Sequence, residues 1–273
     1  MRRLLIRPGG IGDSILSLPA LECLRADFTE VWVRAEVAPL IRFADRVCAI
    51  ASTGLDLLGL ADIAPPTGLL ERLRSFDSIV SWYGSNRESF RAAVRELPFR
   101  FFPALPPAGA RMHAADFFLR QAGRDGPAVP HIDCPRNAAS DFAVIHPFSG
   151  SSRKNWPLDR YRELARRLRI PVQWSAGPEE SLDDAVRFDN LYDVACRLAA
   201  ARLYIGNDSG ISHLAAAVGT PVVAIFGPTD PSIWAPRSAH VEIVAGKLDE
   251  VSVDQVLAAT DKLLPSGPRR RSS

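Results

Sequence analysis

Apolar and polar positions alternate in blocks along the chain. Leu4-Leu5-Ile6 is a short apolar run of the kind buried in a parallel strand. Gly9-Gly10-Ile11-Gly12 interrupts it, and Leu16, Leu18, Leu21 and Leu24 then recur at helical spacing. The pattern predicts further strands at 31–33, 47–51, 78–82 and 99–102, with helical stretches at 87–97 and 112–122 among them. Such alternation predicts a parallel sheet covered by helices on both faces.

Between 123 and 140 the periodicity stops. Gly123, Gly126, Pro127, Pro130 and Pro135 punctuate this stretch, which reads as an interdomain linker. The alternation then restarts. Strands are predicted at 142–146, 171–175, 202–205, 222–226 and 241–244. Helices are predicted at 158–168, 191–201, around 213–218, and at 253–264. The expected architecture is α/β, with two Rossmann-like parallel-sheet domains facing each other across a cleft. Residues 1–135 form the first and 136–273 the second. In open α/β sheets ligands bind beyond the carboxyl ends of the strands, and the glycine-containing loops stand at such ends.

Composition narrows the function classes. Hydrophobic residues make up 47% and charged residues 23%, with a formal net charge of +2, so no global positive field points to nucleic acid. The run Pro268-Arg269-Arg270-Arg271 reads as a solvated tail, with attraction to an anionic membrane surface as the alternative, at roughly 1 kcal/mol per basic residue. Cys23, Cys48, Cys134 and Cys196 have no CxxC spacing, which argues against a zinc or redox site; Cys23 and Cys48 read as small buried hydrophobes. His113, His131 and His240 lack metal-ligand spacing and read as structural or exposed. Only three apolar residues follow Met1-Arg2-Arg3, too few for a signal peptide. No run approaches the roughly 18 apolar residues needed to span a bilayer. A cytoplasmic protein is expected, with contact at the inner membrane face left open.

Four segments carry the candidate chemistry. The longest runs from Tyr204 to Pro221. Asn207 and Asp208 are good helix N-cap residues there, and Ser209 and Gly210 keep the first turn small. A diphosphate can approach the free N–H groups and the positive end of such a helix. His213 lies three residues beyond Gly210, Gly219 is a plausible stop, and a second polar loop, Gly227-Pro228-Thr229-Asp230-Pro231, follows the next strand. The alternative is a capped helix and a turn with no ligand. In 146–157, Ser149 and Gly150 can offer hydroxyl and backbone donors, Lys154 a compact positive charge, and Trp156 a packing anchor. GxxxxGK[ST] is absent, so no P-loop kinase or ATPase is expected. In 7–14, Asp13 stands at the mouth of a glycine loop with Gly10 and Gly12; it can either take a proton from a hydroxyl or cap its helix. After the strand at 171–175, Glu179 or Glu180 can reach a ribose hydroxyl or open a helix in solvent.

Taken together, IRPGGIGDSILSLPAL at 6–21, HPFSGSSRKNWPL at 146–158 and IGNDSGISHLAAAVGTPVVAIFGPTDP at 205–231 resemble glycosyltransferase family 9, the lipopolysaccharide heptosyltransferases. The resemblance implies a GT-B arrangement and an inverting transfer from ADP-heptose, with no cofactor and no required metal. It implies Asp13 as general base, with Gly10 and Gly12 in the acceptor-side loop. It implies Lys154, Asp208, Ser209, Gly210 and His213 as donor-binding residues, beside Ser149 and Gly150 read from a 148–153 loop that is individual to this chain, and Glu179 or Glu180 on the ribose. The implied partners are a nucleotide-sugar donor and a glycan or lipid-linked glycan acceptor. Two other readings use the same loops: an epimerase-like enzyme, which needs a second acid or base such as His146 or His213, and a non-catalytic nucleotide-binding relative.

Overall fold

A computed structural model describes residues 1–61, 63–135 and 140–264. The basic run at 268–271 and the boundary at 136 lie outside the described residues. The chain divides into two compact units, Met1–Ala128 and Val129–Ser273.

The first unit is a five-stranded sheet of β1 (Arg2–Ile6), β2 (Phe28–Val33), β3 (Arg46–Ala49), β4 (Ser78–Ser81) and β5 (Phe99–Phe101), in the order β3-β2-β1-β4-β5. All neighbours are parallel, with Leu5 opposite Val31 on one side and Val80 on the other. The central strand is apolar because both faces are covered: Leu4, Leu5 and Ile6 are wholly buried. Helix α1 (Ile11–Cys23) follows β1, with Ile15, Leu16, Leu18 and Leu21 inside. Next come α2 (Leu69–Arg74), α3 (Glu88–Ala93) and α4 (Ala114–Gln121); α4 packs on α1. His113 caps α4, its Nδ1 accepting from the Ala115 N–H at 3.2 Å.

The second unit repeats the plan with β6 (Ser140–His146), β7 (Val172–Trp174), β8 (Ala201–Asn207), β9 (Val222–Phe226) and β10 (Val241–Ala245), in the order β10-β9-β8-β6-β7 and again parallel. Its helices are α5 (Leu158–Arg167), α6 (Leu191–Ala199), α7 (Gly210–Ala217), α8 (Pro231–Trp234) and α9 (Val253–Leu263). Ile145, Ile205, Val223 and Ile225 of the sheet pack with Trp156, Tyr161 and Leu164 and with Val256 of α9 in one core. Each such side chain contributes roughly 1.5–3 kcal/mol on burial. The Ile132 N–H donates to the Ala217 carbonyl at 3.0 Å, tying the segment after Ala128 to this unit.

Both expected parallel sheets are present. Several local expectations are corrected. The N-cap of α7 is Ser209, not Asn207 or Asp208. β8 runs through Asn207, and the Asp208 N–H still continues the sheet by donating to the Ile225 carbonyl at 2.9 Å. The short helices α2 and α8 were not among the predicted elements. Cys23 and Cys48 are half-buried; the Cys48 thiol touches the carboxylate of Glu30 at 3.6 Å and the guanidinium of Arg72 at 3.0 Å. No helix among the described residues is long and apolar enough to cross a membrane.

Candidate functional site

The order of the second sheet places its topological switch point between β6 and β8, because the chain moves from β6 outward to β7 and then returns to β8 on the other side. A crevice opens at such a point beyond the carboxyl ends of the two strands. His146 and Gly206 face each other at those ends. Gly206 is required there: a Cβ would stand 2.3 Å from the Tyr204 hydroxyl oxygen and 3.0 Å from the His146 carbonyl oxygen.

Asn207, wholly buried, joins the loops around the crevice. Its amide donates to the Pro147 carbonyl at 2.8 Å, and its oxygen accepts from the Trp156 N–H and the Tyr161 hydroxyl, each at 2.9 Å. Trp156 is packed edge-on to Tyr161 and donates its indole N–H to the Val251 carbonyl, so it is the anchor its sequence context suggested. Burial raises the Tyr161 and Tyr204 phenols well above their ordinary range, which keeps both as O–H donors. With the 147–156 loop fixed in this way, Lys154 reaches Asp208: its ammonium donates to Oδ2 at 3.0 Å. Thr229 donates its hydroxyl to the same oxygen. Asp208 is 6% exposed at its side chain and Lys154 28%, so the carboxylate is enclosed while the lysine side chain is partly exposed.

Ser209 follows at once. Its hydroxyl accepts from the Ser212 N–H at 3.4 Å, and α7 begins at Gly210. The first N–H groups of a helix have no acceptor within it and carry the positive end of its dipole. His213 is buried one turn in. Ser149 is engaged within its own loop, donating to the Ser151 carbonyl and the Asn155 side chain, each at 2.7 Å; Gly150 is exposed, with open space where a Cβ would stand. Beyond β7 the two glutamates separate. Glu179 is exposed, whereas Glu180 folds back to accept from the Gly177 N–H at 2.6 Å and lies 3.7 Å from His146 Nε2. His146 Nδ1 lies 3.0 Å from the Ser175 carbonyl oxygen, which only accepts, so Nδ1 carries the proton. Desolvation lowers the His146 pKa below 6.5, against opposing pulls from Glu180 and Ser175.

The switch point of the first sheet lies between β1 and β4. Asp13 stands there in the first turn of α1, and its Oδ2 accepts from the Gly10 N–H at 3.2 Å. The side chain therefore reaches back to the helix start while remaining half-exposed. Gly10 has φ −63°, so the loop uses glycine for small size and not for a left-handed backbone. The tightest approach is at Gly9, where a Cβ would meet the Asp13 Cβ at 3.0 Å. Gly12 lies within α1.

Sequence reasoning brought Lys154, Asp208, Ser209 and Gly210 to one place, and they meet there. It singled out the Thr229 loop without assigning that hydroxyl, and it missed Asn207 as the fastener of the site. It also missed Arg7, a fully buried guanidinium directly beside the Asp13 loop. The signal available for Arg7 was a charged residue at the end of an apolar strand.

Known proteins are similar to this chain in sequence and in fold. The model of glycosyltransferase family 9 (heptosyltransferase) matches residues 189–257. Lipopolysaccharide heptosyltransferase 1 of Salmonella typhimurium is 30% identical over 141 residues, 43% of this chain and 44% of that protein. Lipopolysaccharide heptosyltransferase 3 of Escherichia coli K12 is 28% identical over 162 residues, 45% and 46% of the two chains. These matches support a relation to glycosyltransferase family 9 over that part of the chain. These matches span less than half the length of the curated relatives. Among solved structures, the family 9 fold extends over nearly the whole chain. E. coli ADP-heptose heptosyltransferase II aligns with a TM-score of 0.76 at 16% identity, covering 97% of this chain and 98% of that one. The family 9 glycosyltransferase of Veillonella parvula aligns with a TM-score of 0.75 at 19% identity, covering 96% and 97%. At those identities the likeness concerns the fold, that of the GT-B heptosyltransferases.

Proposed function

We propose that this protein is an inverting family 9 glycosyltransferase that moves a heptose from ADP-heptose onto a glycan acceptor of the lipopolysaccharide core type. The observation that carries the reading is the Lys154–Asp208–Thr229 cluster beside the N-terminus of α7, at the switch point of the second sheet. Asp208 bears a negative charge and is a poor direct partner for phosphate. Its part is to hold the Lys154 ammonium at the crevice, where that ammonium and the first N–H groups of α7 meet the diphosphate. In the reaction an acceptor hydroxyl attacks the anomeric carbon in line, the bond from that carbon to the diphosphate breaks, and ADP leaves. Asp13 takes the hydroxyl proton. Lys154 and α7 stabilise the charge that grows on the leaving diphosphate, each contact worth roughly 3 kcal/mol. These residues supply the positive charge, so the proposed step routes nothing through a metal or cofactor.

ADP as the nucleotide is supported by relatives solved with ADP and with ADP-2-deoxy-2-fluoro heptose. Glu180 rather than Glu179 suits the ribose, since its carboxylate is held at the crevice beside His146. An epimerase needs a second acid or base at the sugar, and both candidates, His146 and His213, are buried. Work at the inner membrane face of the cytoplasm follows from a lipid-linked acceptor.

A thermal-shift panel with ADP, UDP, GDP and CMP tests the donor site. Selective stabilisation by ADP supports the reading. Stabilisation by UDP or GDP instead changes the donor, and no shift with any of them removes it. Asp13→Ala should leave the ADP shift intact and abolish transfer; transfer at the wild-type rate would remove Asp13 from the mechanism.

A further inference from the structure

Arg7 is sealed inside the first unit at 1% exposure, among the largest fully buried side chains of the described residues. A buried guanidinium is expensive, and desolvation lowers its pKa to about 10, with the Asp13 carboxylate opposing that fall. Its hydrogen bonds all go to one short stretch of chain. Nε donates to Ser17 Oγ at 3.2 Å, one terminal nitrogen to the Pro8 carbonyl at 3.2 Å and the other to the Asp13 carbonyl at 3.3 Å. Its carbon lies 4.6 Å from the centre of the Phe118 ring and 5.9 Å from that of Trp82, which fixes where the fork sits.

An apolar side chain of similar volume would fill the same space without the desolvation cost. What only the planar fork provides is a grip on both ends of the loop from Pro8 to Asp13. That loop is short of other restraints: the Ser14 N–H donates to the Gly10 carbonyl at 3.0 Å, and the Gly10 N–H donates to the Asp13 carboxylate. Gly9 brings the backbone against the Asp13 Cβ, so a small displacement at Pro8 moves Asp13. We infer that Arg7 is a positioning residue that aims the Asp13 carboxylate by clamping the carbonyls of Pro8 and Asp13 from below. This rests on the reading of Asp13 as the general base.

The test compares full-length wild type, Arg7→Met, Arg7→Lys, Asp13→Asn and the Asp13→Asn/Arg7→Met double variant. Hydrogen exchange is followed in peptides covering 9–14. Transfer is followed with ADP-heptose and heptose-free lipopolysaccharide, at high enzyme concentration for the Asp13 variants. Arg7→Met should speed exchange in 9–14 while leaving the peptides of β2 and β3 as in wild type. It should lower kcat by about 10²-fold, the effect of misplacing a reacting group by about 1 Å, with donor KM within about twofold of wild type because the donor lies elsewhere. Arg7→Lys should fall between the two. In the Asp13→Asn background, Arg7→Met should cost less than about threefold more, since both act at one group. Unchanged exchange in 9–14 overturns the inference whatever the activity. An inactive Asp13→Asn in which Arg7→Met costs its full factor again also overturns it, and leaves the base reading standing. An Asp13→Asn with wild-type transfer removes the base itself, and this inference with it. Should Arg7→Met fail to fold, Arg7→Lys takes its place in both measurements, and unchanged exchange in 9–14 again overturns the inference.

Discussion

Lys154 and Asp208 are 54 positions apart in the chain, and their ion pair fixes where the Lys154 ammonium sits in the second unit. If Lys154 faces the leaving diphosphate, Lys154→Ala should lower kcat/KM with ADP-heptose by about 10²–10³-fold, the usual cost of one lost charge-stabilising donor. Thr229→Val removes a donor to Asp208 rather than a contact to the anion, and should cost only about tenfold. Equal losses in steady-state assays of the two variants would contradict this division of roles. His146 makes a different prediction, in stability. Its folded pKa is below the 6.5 of the free side chain. Above pH 6.5 neither state binds the proton, so the histidine adds no pH dependence. As pH falls through 6.5 toward the folded value, the unfolded state takes the proton first, and folding weakens. The thermal midpoint of wild type should therefore drop more steeply between about pH 7.5 and 5.5 than that of His146→Asn, and parallel curves would refute a buried neutral imidazole. Lys154, Asp208 and Asp13 were legible in the sequence because charges beside runs of small residues are rare and local. The Thr229 hydroxyl was not, because its pairing with Asp208 depends on which strand ends lie side by side. Arg7 was not, because nothing in an apolar strand says whether the charge after it turns inward.

At the scale of elements, Asn207 does for the strand end what a cap does for a helix. It satisfies backbone and side-chain groups of three buried residues, Pro147, Trp156 and Tyr161, and none of them has water to turn to. Asn207→Ala should destabilise the second unit by about 2–3 kcal/mol, the cost of leaving buried partners unsatisfied, and chemical denaturation should read this as a shift in midpoint at constant slope. A loss under about 1 kcal/mol would mean that water replaces the amide. The same residue explains an error of sequence reasoning. Asn207 and Asp208 have good capping chemistry, but β8 extends through Asn207, and Ser209 takes the cap. Local preference lost to the sheet, since an extra ladder bond from Asp208 to Ile225 outweighs an earlier helix start. The long periodic elements were readable to within a few residues, β9 among them at 222–226. α2 and α8, with six and four residues, are too short to show a period. For α8 the signal was nevertheless present, in Asp230 as cap and Pro231 in the first turn.

For the molecule as a whole, the double alternation of strands and helices was enough to foresee two parallel sheets, because patterning is written separately in each half. The halves also separate energetically. Leu4, Ile6, Trp32 and Phe90 belong to one core, and Ile145, Ile205, Val223 and Val256 to another. A unit with its own core and its own complete sheet should fold without the other. The groups proposed to meet the donor, Lys154, Glu180 and the start of α7 at Ser209 and Gly210, lie in the second unit with Asp208 and Thr229 that hold Lys154, whereas the proposed base and its clamp, Asp13 and Arg7, lie in the first. Residues 129–273 expressed alone should therefore give a cooperative thermal transition and keep the ADP-dependent shift of the full chain, since nucleotide present at about 100 times its Kd adds about 2.7 kcal/mol wherever the binding groups are intact. The same fragment should transfer no sugar, because the group that takes the proton is gone. A fragment that folds yet shows no shift with ADP would mean that the donor site needs residues from the first unit, and the assignment of nucleotide binding to Lys154 and the start of α7 would then have to be widened.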